Sequence, residues 1–112
     1  MTTAAFKRLR RAVFLRSRGT CEHCHRAVIE ESGFFNSGHL DHFFGRGAGR
    51  PAESVENCWF LCMKCDHEKT TNHPSNTAWL GIFKEHCIGH GFTSQLEPIE
   101  ARLQWNAAKG LV

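Results

Sequence analysis

No run of apolar residues in this chain approaches the roughly 18 that a membrane span requires, so no spanning helix is expected. The basic N-terminus is not followed by an uninterrupted apolar core with a cleavage site. A secretory leader is therefore not expected, and a cytoplasmic setting is the default. Internal repeats and low-complexity tracts are missing as well. Acids are scarce at the start: Glu22 is the only one in the first 26 residues. Against it stand Lys7, Arg8, Arg10, Arg11, Arg16, Arg18 and Arg26, which are 7 of the 14 Lys and Arg in the chain. A basic block of this kind suits a polyanion such as nucleic acid, with a solvated helix face as the plainer alternative.

The chain has 112 residues, 41% hydrophobic and 22% charged, which fits one small ordered domain with a modest core and argues against disorder. Six cysteines in a cytosolic setting point to metal or reactive thiols before disulfides. Apolar residues at helical spacing (Phe6, Leu9, Val13, Phe14) predict a helix over residues 4–17, which Gly19 would end. Turn signals at Ser32-Gly33 and Asn36-Ser37-Gly38 make 26–37 a loop or irregular hairpin. Short strands are expected over His39–Phe44 and Cys58–Leu61, separated by a glycine-rich loop. A short helix is expected over 62–71, a break around Pro74, a helix over 77–87 capped by Ser75 or Asn76, and a last helix opened by Pro98.

Cys21-Glu-His-Cys24 and Cys62-Met-Lys-Cys65 are two C-x-x-C knuckles, 37 residues apart. Each presents two sulfurs from one tight turn, and together they supply four thiolates for tetrahedral zinc. Four thiolates leave no position for water, so this zinc would hold the fold and do no chemistry. The competing reading is a redox or buried-thiol role. Cys58, four residues before Cys62, reads as a small buried hydrophobe.

Between and after the knuckles lie Gly38-His39-Leu40-Asp41-His42, Asn57-Cys58-Trp59-Phe60-Leu61-Cys62 and Asp66-His67-Glu68-Lys69-Thr70. In order and spacing these resemble the HNH endonuclease family over roughly residues 8–71. The matching elements are a basic segment leading into a first C-x-x-C, the Asp41-His42 dipeptide on a first strand, Asn57 five residues before Cys62, and Lys69-Thr70 after the second knuckle. The resemblance implies an α+β, zinc-stabilised ββα-metal fold with flanking helices: a single domain over 1–112, with a basic helix in 1–20, the clamped core in 21–71 and a helical extension in 72–112.

By that resemblance His42 is the general base for phosphodiester hydrolysis, and Asn57 or a nearby carbonyl orients its ring. Asp41 holds one catalytic divalent ion, Mg²⁺ or Mn²⁺, together with Asp66 or His67. The family usually has His or Asn where this chain has Asp66, and His67 stands one position late. One residue is about 100° of helix rotation, so the two cannot share a place. His39 is a reserve ligand. Arg8, Arg11, Arg16, Arg46, Arg50 and Lys69 are candidate phosphate contacts, and double-stranded DNA is the expected partner. The chain would act alone or as a subunit of a phage, restriction or mobile-element system. The alternative is a non-catalytic zinc module that binds nucleic acid or protein.

Overall fold

The computed structural model describes residues 3–45, 53–71 and 76–110. The chain is a small α+β protein with two compact units, Met1–Glu68 and Lys69–Val112. Arg46, Arg50 and His73 lie outside the described residues.

The first unit opens with α1 (Thr3–Ser17). Leu9 and Val13 form its buried stripe, and Phe14 packs edge-on against Phe60, ring centroids 5.4 Å apart. The helix ends where Arg18 (φ 56°) and Gly19 (φ 72°) both turn left-handed, which is where the sequence places the stop. Then come β1 (Gly38–His42) and β2 (Cys58–Cys62), paired antiparallel with Asp41 opposite Trp59 and His42 opposite Cys58. β1 is shorter at its end than the expected strand. Phe43 and Phe44 leave the ladder because their amides turn to Asn57, Phe43 N donating to its backbone carbonyl and Phe44 N to its side-chain oxygen.

Every residue of β2 is buried, as its continuous apolar run Cys-Trp-Phe-Leu-Cys requires. Trp59, Phe60, Leu61 and Phe43 are each fully enclosed, and each such burial is worth about 2 kcal/mol. Gly38 is demanded by this packing, because a Cβ there would stand 1.9 Å from the Phe60 ring. β2 runs without a loop into α2 (Met63–Thr71), so its last residue and the first turn of the helix share one knuckle.

The second unit is built from α3 (Thr77–His90), a 3-10 turn (Thr93–Gln95) and α4 (Leu96–Ala108). Asn76 caps α3, its side chain accepting from Ala78 N and Trp79 N, and Ser75 lies outside the described residues. At the other end Gly91 is left-handed (φ 72°), and Gly91 N and Phe92 N donate to Ile88 O and Cys87 O, a Schellman closure. The helix thus runs three residues past the expected end, since Gly91 and not the sequence around residue 87 stops it. α4 begins two residues before Pro98, whose missing N–H falls among the first-turn groups that have no helical acceptor. Thr77 at the start of α3 accepts from Asn106 near the end of α4, so the two helices run antiparallel. Trp79, Leu80, Phe83 and Cys87 of α3 and Ile99 of α4 are buried. Among the described residues no helix is long and apolar enough to cross a membrane.

Candidate metal centre and the adjoining polar face

Each C-x-x-C segment folds so that a backbone N–H points back at its first sulfur: Cys24 N to Cys21 Sγ and Cys65 N to Cys62 Sγ, both at 3.5 Å. The first turn is closed further by Cys21 N donating to Arg26 O and His25 N to Cys21 O, with His25 in the left-handed region (φ 66°). The four sulfurs lie within 4.8 Å of one another, Cys24 and Cys62 at 3.7 Å, and none is in a disulfide. Sulfurs around a tetrahedral zinc with Zn–S near ~2.3 Å sit about 3.8 Å apart, so the spacing fits that ion. Burial, with Cys21 beside it, pushes the Cys65 thiol well up, a cost that a bound dication offsets. Cys24 is exposed and the other three are buried, so the cluster opens to solvent on the Cys24 side. The cluster can hold a metal ion, as the spacing in the sequence predicts.

A second network fixes this cluster to the sheet, and Arg16 is its centre. Its guanidinium grips both oxygens of Glu22 at 2.9 and 2.7 Å and donates to the carbonyls of Val55 and Cys58, each at 2.6 Å. Glu22 in turn accepts from Phe60 N and donates its own N–H to Phe60 O. Helix α1, the first knuckle and β2 are thereby joined around one ion pair. Arg16 was expected to face phosphate. It instead points inward, because a buried Glu22 carboxylate needs a bidentate partner. Lys69, another expected phosphate contact, is buried in α2. Arg11 is exposed and paired with Glu30, and Arg8 is exposed. Glu22 carried no signal in the sequence beyond lying inside a knuckle.

The polar residues of β1 divide between two faces, as strand alternation requires. On one face His39 Nδ1 lies 3.3 Å from Asp66 Oδ2. Asp41, two residues on, accepts from the fully buried indole of Trp59 at 2.8 Å. On the other, His42 Nε2 meets Glu53 Oε2 at 3.0 Å. Asp66 therefore turns toward β1. His67 is exposed and lines the surface beside Arg26–Val28 and Asn36. Asn57 uses both ends of its amide on Phe44, accepting from its N–H at 3.0 Å and donating to its carbonyl at 2.9 Å.

Glu53 and Trp59 escaped the sequence reading. Glu53 lies 11 residues from His42 in a loop without pattern, and Trp59 reads simply as core. Both Glu53 and Asp41 carry charge near the Cys58 thiol, which is pushed up to about 12, by burial first and by these two carboxylates next. Among the described residues, no group of three potential ligands that includes Asp41, His42, Asp66 or His67 comes within 4.8 Å. No known protein family, curated protein or solved structure matches the chain.

Proposed function

We propose that this protein is an HNH-type endonuclease that hydrolyses phosphodiester bonds of DNA with one divalent metal ion. The observation that carries this reading is the contact between His42 and Glu53 at the end of β1. An ionised carboxylate only accepts, so Nε2 is the donor in this contact. An imidazole held at one nitrogen by a carboxylate is oriented as a general base must be to take a proton from water. Asp41 and Asp66, rather than His67, would hold Mg²⁺ or Mn²⁺, since both carboxylates belong to the His39 face of β1. When bound, that ion supplies Lewis-acid stabilisation of the phosphate. Trp59 and His39 orient the two carboxylates, as the outer partners of metal ligands do. The cysteine cluster, loaded with zinc, fixes β2 against α2 and so sets Asp66 opposite β1.

Cleavage of plasmid and of single-stranded circular DNA with Mg²⁺ or Mn²⁺, wild type beside His42→Ala, tests the reading. Loss of ~10²-fold or more in the variant is expected; equal, negligible cleavage by both proteins sinks it. A second reading, a non-catalytic zinc module, draws on the separation of the carboxylates, which are each engaged by a protein partner. Titrating the zinc-loaded protein with Mn²⁺ separates the two. Binding that Asp41→Ala abolishes favours the nuclease, and no binding favours the module.

A further inference from the structure

A broad groove of about 1400 Å³ runs between α1 and the segment 30–40 in the first unit. That exceeds the usual volume of a small-molecule pocket, so its occupant is extended. Its walls are unusually apolar for an open surface: Phe35 is 84% exposed and Phe34 55%, with Leu15 and Met63 exposed beside them. The two phenyl rings are not on a loose tip. Ser37 ties their turn from both sides, its hydroxyl accepting from Phe34 N at 2.9 Å and its N–H donating to Phe34 O at 3.1 Å. Ile29 pairs with Asn36 and Gly38 across the base. A turn hydrogen-bonded to this extent fixes the backbone that presents the two rings to solvent.

The rim carries charge of one prevailing sign. Lys7, Arg8 and Arg11 line it from α1, all exposed, against Glu30 and Glu31. Glu30 is matched by Arg11, while Arg10 lies over the Phe60 ring, 4.9 Å from its centre, and caps the backbone of Glu30 and Gly38. The groove also reaches His39, whose ring touches Asp66.

The geometry points to single-stranded DNA as the occupant of this groove, its phosphates on Lys7 and Arg8 and its unpaired bases stacked on Phe34 and Phe35. Duplex DNA offers a protein surface its phosphates and base edges but keeps the base faces inside the stack. An apolar wall with exposed aromatic rings gains nothing from it. Unpaired bases present those faces, and stacking on aromatic side chains is the usual way single strands are held beside a basic track. This deepens the nuclease reading and rests on it for the link to Asp66: the substrate would be DNA with an unpaired stretch beside the cut, where the sequence led to an expectation of duplex.

The test is fluorescence anisotropy with the zinc-loaded full chain and no added Mg²⁺ or Mn²⁺. The probes are a fluorescein-labelled 15-mer DNA, its blunt duplex and the matching RNA. Wild type should bind the single-stranded DNA more tightly than the duplex. The Phe34→Ala/Phe35→Ala double variant changes exposed side chains only, so it keeps the fold; it should bind the single strand at least ~10-fold more weakly and the duplex unchanged. Lys7→Gln/Arg8→Gln should weaken all probes and reduce the salt slope by about 0.7 per lost contact on the single strand. Equal affinity for single strand and duplex, tighter binding of the RNA, or an unchanged single-strand affinity in the phenylalanine variant overturns the proposal. Binding to none of the probes also overturns it and leaves a protein as the occupant. Because no cleavage is read, binding with these properties stands even if the cleavage assay fails.

Discussion

The cysteine cluster and the Asp41–His42 face lie in one unit and share the strand pair, yet they are built in opposite ways. The cluster gathers four like ligands, three of them buried, around one point, with backbone N–H groups turned to the sulfurs of Cys21 and Cys62. Along β1 each polar side chain is instead held by a different protein group: Asp41 by Trp59, His42 by Glu53, and His39 by Asp66 of α2. The first arrangement suits a permanent ion, because four sulfurs so close together are costly without a cation. The second leaves the donors oriented but apart; on the proposed nuclease reading they would meet a metal and substrate only when these arrive.

Breaking the cluster should have the largest effect. Cys62→Ser removes the ligand that ends β2, and zinc stoichiometry measured on the purified protein should fall to near zero. Structural zinc sites contribute about 10–16 kcal/mol, comparable to or above the whole stability of a small domain. Far-UV circular dichroism should therefore show an unfolded first unit, and a strong chelator should do the same to wild type. A folded, zinc-free Cys62→Ser protein would erase the contrast.

Arg16→Ala comes next. It leaves the Glu22 carboxylate, with its side chain 5% exposed, without its bidentate partner. Removing one member of such a buried pair costs about 3 kcal/mol. Chemical denaturation should show that loss, while DNA affinity should change less than in Lys7→Gln/Arg8→Gln. The opposite ranking would make Arg16 a phosphate contact after all.

Trp59→Phe sharpens the other side of the comparison. It keeps the ring in the core but deletes the donor to Asp41, and should lower Mn²⁺ affinity about 10-fold, read by electron paramagnetic resonance. Zinc content should stay unchanged. Equal Mn²⁺ binding would show that the indole contact is packing alone.

The smallest effect concerns Cys58, which lies between the two regions. Its thiol titrates near 9.0 when exposed and is pushed up to about 12 in the fold, chiefly by burial. An acid whose folded pKa is raised keeps its proton in the native state after the unfolded chain has lost it. Its contribution is full below pH 9 and is lost as pH rises toward 12, by about 1.4 kcal/mol at pH 10. Urea unfolding at pH 8 and 10 should show this alkaline decline in wild type and a shallower one in Cys58→Ala. Parallel declines would mean that the thiol titrates normally.

The knuckles were legible because each is a local turn: two ligands three residues apart specify the same shape wherever they occur. Helices α1 and α3 and strand β2 were legible for the same reason, through periodicity or an unbroken apolar run. Asn57 was found by its distance from Cys62, but its partner was not. The amide reaches the backbone of Phe44 across the hairpin, which no spacing encodes. Arg16 misled because a guanidinium in a basic block looks the same whether it faces solvent or Glu22.

By itself, then, the sequence determined the four cysteines that could hold a metal ion, the order of strands and helix around them, and the sum of basic charge in the first 26 residues. All are properties of neighbours along the chain. Only the tertiary structure decided which bases are spent inside, as Arg16 and Lys69 are, and which line the groove, as Lys7 and Arg8 do. It also decided that Asp66 turns to His39 while His67 turns away, and that Glu53 closes on His42. Those outcomes depend on which face of a helix or strand meets which neighbour. That is fixed by burying β2 on both sides, and it joins residues that the sequence keeps far apart.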